Sequence, residues 1–156
     1  MDRFASVRSD KQPIDRAILS ELVARRLPSY ADYYLPNDLG IAFDDSDVGI
    51  LARLSGLEIV GLENARISDR ALEFLSHLSS LRLLDIDGTA ITDSGVISLA
   101  NHPRLEVLWM EECAISDACI PALLTCTRLG FVSLTYTEVS QAGMQRLEER
   151  GIEVLA

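Results

Sequence analysis

Residues 81–104 read LRLLDIDGTAITDSGVISLANHPR, and residues 105–128 read LEVLWMEECAISDACIPALLTCTR. Set one above the other, the two stretches agree in the placement of their apolar residues. Rows of 24 residues begun at Leu57 extend the agreement to four rows without a gap. The first column is Leu57, Leu81, Leu105, Leu129. The next apolar columns are Val60, Leu84, Leu108, Val132 and Leu62, Ile86, Met110, Leu134. Further along come Ile67, Ile91, Ile115, Val139, then Leu72, Val96, Ile120, Met144 and Leu75, Leu99, Leu123, Leu147. Six apolar columns with no polar intruder define an internal repeat.

The spacing changes within each row. Val60 and Leu62 alternate with Ile59, Gly61 and Glu63 at period two, the mark of a short strand. From Ile67 onward the apolar positions step by three or four, through Leu72, Leu75 and Leu78, the mark of a helix face. Between the two stands Ser68-Asp69, Thr92-Asp93, Ser116-Asp117 or Ser140-Gln141. A Ser or Thr there is placed to cap the first amides of the helix, and an Asp in the first turn suits the helix dipole. Each row therefore predicts strand, turn, capped helix, turn. One such unit cannot bury its own apolar edge, so the rows are expected to stack with parallel strands.

The pattern L-x-x-L-x-L-x-x-x-x-I-[ST]-D-x-[GA]-[LVI]-x-x-L resembles a leucine-rich repeat, most clearly in ITDSGVISLA at 91–100. More narrowly it is similar to ribonuclease-inhibitor-like and F-box-associated arrays and to many bacterial repeat proteins. The resemblance covers residues 57–150, or 94 of 156. It implies an α/β fold: a right-handed solenoid with parallel strands on the concave face and helices on the convex face. Two departures stand out. Ala65, Thr89, Cys113 and Thr137 occupy the column where the family carries a regular Asn or Cys ladder, and Gln141 replaces Asp in the last row.

The ends are degenerate, and the organisation is that of a single domain. Residues 1–32 form an amino-terminal segment in which 13–27, PIDRAILSELVARRL, set Ile14, Ala17, Ile18 and Leu22 on one helical face as a capping helix. Residues 33–56 are a degenerate first repeat. Its back half, FDDSDVGILARL, keeps the helix columns, whereas Pro36 and Asp38 fall where apolar strand residues belong. Four repeats fill 57–150, and 151–156 begin a terminal half repeat whose strand edge could pair with a second copy.

Composition narrows the function. The net charge is −10, divided as +2 over residues 1–30 and −12 over residues 31–156. An acidic body is a poor match for a phosphate backbone, so nucleic acid is not an expected partner. No stretch of about 18 apolar residues is present, so no membrane partner is expected. The polar start MDRFASVRSDKQ and the three crowded cysteines, Cys113, Cys119 and Cys126, fit reduced thiols and a cytoplasmic setting. The sequence holds no phosphate-cradling glycine loop, no HExxH and no GxSxG, and the cysteine spacings of six and seven do not match a paired zinc motif. His77 and His102 sit in turns. No catalytic residue, metal or cofactor is expected, and the chain reads as a non-enzyme.

On this fold, the side chains that alternate with the buried columns project from the concave sheet in three stripes. The first is Ile59, Leu83, Val107, Phe131. The second is Gly61, Asp85, Trp109, Ser133. The third is Glu63, Asp87, Glu111, Thr135, flanked by Glu112 and Tyr136. Aromatic anchors beside carboxylates suit a protein or peptide partner carrying basic residues. The expected partner-binding residues are Ile59, Leu83, Asp85, Asp87, Val107, Trp109, Glu111, Phe131 and Tyr136. The alternative is a structural subunit that forms a homodimer through its carboxyl-terminal edge strand. Whether residues 1–37 cover the concave face or dock a second partner stays open at this point.

Overall fold

A computed structural model describes Asp32–Tyr34 by its backbone, and residues 43–54 and 56–156 in full. The expected helix over 13–27, and 28–37 apart from Asp32–Tyr34, lie outside the described residues. The strands are β1 (Asp32–Tyr34), β2 (Ile59–Gly61), β3 (Leu83–Asp85), β4 (Val107–Trp109), β5 (Phe131–Ser133) and β6 (Glu153–Leu155). They form one six-stranded sheet in sequence order, every neighbouring pair parallel. Between strands run the helices α1 (Asp45–Leu51), α2 (Asp69–Leu75), α3 (Asp93–Ser98), α4 (Ile120–Thr125) and α5 (Gln141–Glu149).

Register follows the repeat. Ile59 faces Leu83, Leu83 faces Val107 and Val107 faces Phe131, each 24 residues on. The ends deviate: Asp32 faces Ile59, 27 positions away, and Phe131 faces Glu153, 22 positions away. The first strand therefore starts ahead of Pro36, whose missing N–H suits it poorly to a ladder. The last unit is shortened by a tight stop after α5. There Gly151, at φ 86°, donates its amide to the Glu148 carbonyl while the Ile152 amide reaches back to Leu147. That pairing is a Schellman cap, and its left-handed residue is cheapest as glycine.

The core lies between sheet and helices. Every member of the six apolar columns is buried there except Met144, which is partly buried against it. Phe43, Val48 and Leu51 of the first unit join the same cluster. Cys113, Cys119 and Cys126 are buried unpaired thiols whose sulfurs donate to the carbonyls of Ile86, Ser116 and Leu99. Burial pushes all three thiols up, Cys119 to about 12, helped there by the Asp93 carboxylate. Such thiols are inert at neutral pH.

A polar ladder fixes how far each unit turns against the next. The carboxylate of Asp45 accepts from both the amide and the hydroxyl of Ser68, at 2.8 and 2.7 Å. Asp69 does the same to Thr92 at 2.7 and 2.7 Å, Asp93 to Ser116 at 2.9 and 2.7 Å, and Asp117 to Ser140 at 2.8 and 2.6 Å. The Asp of the repeat thus serves the following unit as well as its own helix dipole. The hydroxyls of Thr92, Ser116 and Ser140 meanwhile accept from an amide of their own helix. The small-residue column answers to this fork, because a Cβ on Gly95 or Gly143 would fall 2.5 or 2.4 Å from the Asp69 or Asp117 carboxylate. Gln141 has no carboxylate with which to repeat the fork. In the first unit Asp44 stands in the hydroxyl column and caps α1 through a reciprocal bond with Asp47.

The ladder column that lacks Asn is satisfied locally. Thr89 and Thr137 donate to the carbonyls of Ile86 and Leu134, three residues back, at 2.7 Å each. His102 is buried with Nε2 3.0 Å from the Leu78 carbonyl and Nδ1 accepting from the Leu105 amide at 3.1 Å. Those partners fix the neutral tautomer, with the proton on Nε2.

Two outcomes follow from this packing. Leu108 is wholly buried, so Leu108→Asp should remove on the order of 5 kcal/mol and leave no cooperative melt. Burial holds the His102 pKa below its ordinary value. The unfolded chain therefore binds this proton more readily, and stability is complete above the unfolded imidazole value of about 6.5 and falls as pH drops below it. Melting between pH 7.5 and 5 should show this loss, and His102→Gln should flatten it.

Candidate functional site

The sequence-predicted residues gather on one side of the sheet, as the strand alternation requires. Leu83, Val107, Trp109 and Phe131 form a second apolar cluster, separate from the core between strands and helices, with Ile59 packed against it. Trp109 and Phe131 meet edge to face with ring centroids 5.9 Å apart. Asp85, Asp87 and Glu111 follow at the carboxyl ends of the strands. Asp85 accepts from the Asp87 amide at 3.2 Å, and Asp87 accepts from the Glu111 amide at 2.7 Å. Glu111 in turn accepts from the Ser133 hydroxyl at 2.5 Å. Backbone amides position Asp85 and Asp87, and the Ser133 side chain positions Glu111.

Exposure divides the set. Leu83, Asp85, Asp87, Val107, Trp109 and Phe131 are buried, with Trp109 only 1% exposed. Ile59 and Glu111 are half-buried, and Tyr136 is 81% exposed. The concave stripe is therefore a packed surface in this state, and the open part of the site lies at its carboxyl-terminal rim.

Backbone conformation singles out the same rim. After each of β2–β5 the chain turns through a left-handed residue: Asn64 at φ 55°, Gly88 at 64°, Glu112 at 56° and Tyr136 at 58°. The turn closes where the amide of the next residue meets the carbonyl three back, as from Ala65 to Leu62 and from Thr137 to Leu134. Asn and Gly adopt that conformation readily, whereas Glu and Tyr do so at about 1–3 kcal/mol each. Sequence reasoning placed Glu112 and Tyr136 on the flank of the stripe. It did not see that they share a strained column with Asn64 and Gly88, although the Asn-Gly pairing at a spacing of 24 carried that signal.

Arg82 bridges Glu58 at 3.3 Å and Glu106 at 2.8 Å across neighbouring strands, and the pair holds the Glu106 carboxyl below its usual range. These groups are 30–44% exposed, so the network contributes at most about 1 kcal/mol. Among the described residues, no three His, Cys, Asp or Glu side chains converge on a metal position, and no helix is long and apolar enough to cross a membrane.

No family model and no curated protein matches the chain. Solved structures do. An internalin from Listeria monocytogenes strain 4b F2365 is similar with a TM-score of 0.64 at 17% identity, over 92% of this chain and 38% of that one. The fold is that of a leucine-rich-repeat solenoid. Leiomodin-1 actin-binding site 2 is also similar, with a TM-score of 0.53 at 12% identity, over 92% of this chain and 80% of that one. At these identities the likeness is one of fold. The solenoid spans 38% of the length of the internalin it matches.

Burial and strain give opposite expectations along this face. Trp109→Ala should empty a buried site and lower stability by about 3–5 kcal/mol. Tyr136→Gly should raise it by about 1 kcal/mol, because the strained left-handed residue is replaced by one that adopts it freely. Denaturant melts of the two variants beside wild type would check both signs.

Proposed function

We propose that this solenoid is a non-enzymatic protein-interaction module that takes a protein or peptide with basic side chains on its concave sheet. The observation that carries the reading is the carboxyl-terminal rim. There Asp87 stands in the turn after β3, Glu111 and Glu112 in the turn after β4, and the turn after β5 holds Tyr136, an exposed aromatic in a conformation that glycine would adopt at lower energy. A strained, solvent-facing tyrosine costs backbone energy without burying its ring, which supports a role in recognition. Carboxylates beside an aromatic ring suit an arginine or lysine, by cation–π contact and charge. The similarity in fold to an actin-binding site supports a protein partner.

The same reading covers the finer assignments. The convex helices α1–α5 support placing the repeats with the helix-bearing ribonuclease-inhibitor-like and F-box-associated type. The buried, unpaired cysteines fit a reducing, cytoplasmic setting. The second reading, assembly through the carboxyl-terminal edge, is favoured by one observation: Leu155 on β6 is 39% exposed.

The test uses capture from a lysate of the source cell. Wild type is compared with a Tyr136→Ala/Glu112→Arg variant, whose two exposed positions leave the core intact. A partner held by wild type, lost by the variant and released by salt would support the reading, since exposed charge pairs are screened. Equal capture by both proteins would refute a rim site. No capture, together with a dimer that Val154→Pro converts to monomer, would favour edge assembly.

A further inference from the structure

We propose that the amino-terminal rim of the sheet is a second docking surface, on which Arg104, Arg128 and Arg150 take an acidic helix whose carboxylates recur once per turn. Each arginine stands three residues ahead of its strand: Arg104 before Val107, Arg128 before Phe131 and Arg150 before Glu153. The strands β4, β5 and β6 are parallel neighbours in register at those residues, so the arginines fall in one column. All three are exposed. Among the described residues, none of the three has an ion pair or a side-chain hydrogen bond.

The adjoining column explains why these charges are left over. It runs Glu58, Arg82, Glu106, Gly130 at a spacing of 24. Arg82 takes Glu58 at 3.3 Å and both carboxylate oxygens of Glu106, at 3.1 and 2.8 Å. Arg82 does most to hold the Glu106 carboxyl below its usual range, and Arg128 and Arg104 add to it from further off. Both therefore stand near a carboxylate whose oxygens are already engaged. The next step of the column is Gly130, exposed and without a side chain. A Cβ there would meet only the Glu106 carbonyl, at 3.9 Å, so the ledge beside Arg128 is clear. Arg150 borders the same turn: burial pushes the Cys126 thiol up, and the Arg150 charge is among the groups that oppose it.

Spacing and charge select the occupant. Strands lie about 4.8 Å apart, and the arginines recur at that interval along the rim. A helix returns to one face every turn, about 5.4 Å on. Alternate residues of an extended chain recur at about 6.8 Å and fall out of step by the third. A guanidinium fork pairs with a carboxylate through two donors. Residues 31–156 carry −12, so a nucleic acid or an anionic membrane would press its charge against an acidic body. A helix that touches one line of side chains is confined to the basic rim. The opposite rim carries Asp87, Glu111 and Glu112, so the two surfaces select partners of opposite charge.

The probe is a labelled, alanine-based helical peptide with one glutamate per turn along a single face. Anisotropy titrations of the full chain should show saturable binding that weakens between about 50 and about 300 mM salt. Arg104→Glu/Arg128→Glu/Arg150→Glu, checked for folding by circular dichroism, should weaken it at least ten-fold. Gly130→Glu sets a carboxylate on the clear ledge without touching the arginines, and should weaken binding several-fold even where the triple variant melts early. No saturable binding by wild type would overturn the proposal, as would equal binding by the folded triple variant. Equal binding of a peptide with its glutamates scattered around the helix would also overturn it, reducing the surface to bulk attraction. Tighter binding of a single-stranded oligonucleotide, lost in the triple variant, would overturn it in favour of phosphate. A dimer that only the triple variant loses would overturn it in favour of a second copy. The Tyr136→Ala/Glu112→Arg variant should bind the peptide at least as well as wild type, so loss of the site on the other rim leaves this inference standing.

Discussion

A single row of this chain has an apolar edge that only the next row can cover. That constraint sets the rest of the architecture. It demands parallel strands, because each unit must present the same edge in the same direction. It also demands equal lengths, because a slipped row would set Val60, Leu84 and Leu108 out of line and expose them. The core satisfies the demand with aliphatic side chains of similar size in every column. Apolar contact alone is non-directional, however, and leaves the rotation between units loosely set.

The Asp-to-Ser/Thr forks supply the direction. Each carboxylate takes two donors from the following unit, an amide and a hydroxyl, so both distance and angle are fixed. The same contact holds Asp117 below the usual carboxylate range. It also explains Gly95 and Gly143, which would otherwise look like a helix-weakening choice. At Cys119 the column admits a thiol, and there the chain opens as a short 3-10 turn over Asp117–Cys119 before α4. Pro121, with no amide to donate, stands at the junction and suits that looser start.

Much of this was legible in the sequence because it is local and periodic. Alternation at Ile59–Glu63 tells which side chains share a side of the sheet, and the switch to steps of three and four locates the helices. The position of β1 was not legible, since three extra residues break the count and Pro36 and Asp38 disguise the unit. The forward reach of the aspartates was not either. A first-turn Asp looks the same whether it serves its own helix or the next, and only a partner 23 residues away separates the two. Alternation likewise assigns Trp109 and Phe131 to the concave side without saying whether anything lies over them.

The arrangement separates what holds the solenoid together from what recognises. Columns and forks lie between sheet and helices, and none of them uses a concave side chain. The concave cluster is a second, smaller apolar body on the other side of a one-layer sheet. Its Trp109–Phe131 contact and the Asp87–Glu111 and Glu111–Ser133 bonds also join neighbouring units, so it adds to the neighbour-to-neighbour terms that stabilise a repeat protein. The strain at Glu112 and Tyr136 fits the same division. It sits in turns outside the core, where about 1–3 kcal/mol apiece can be carried because the stacked columns over-determine the path of the backbone beneath them.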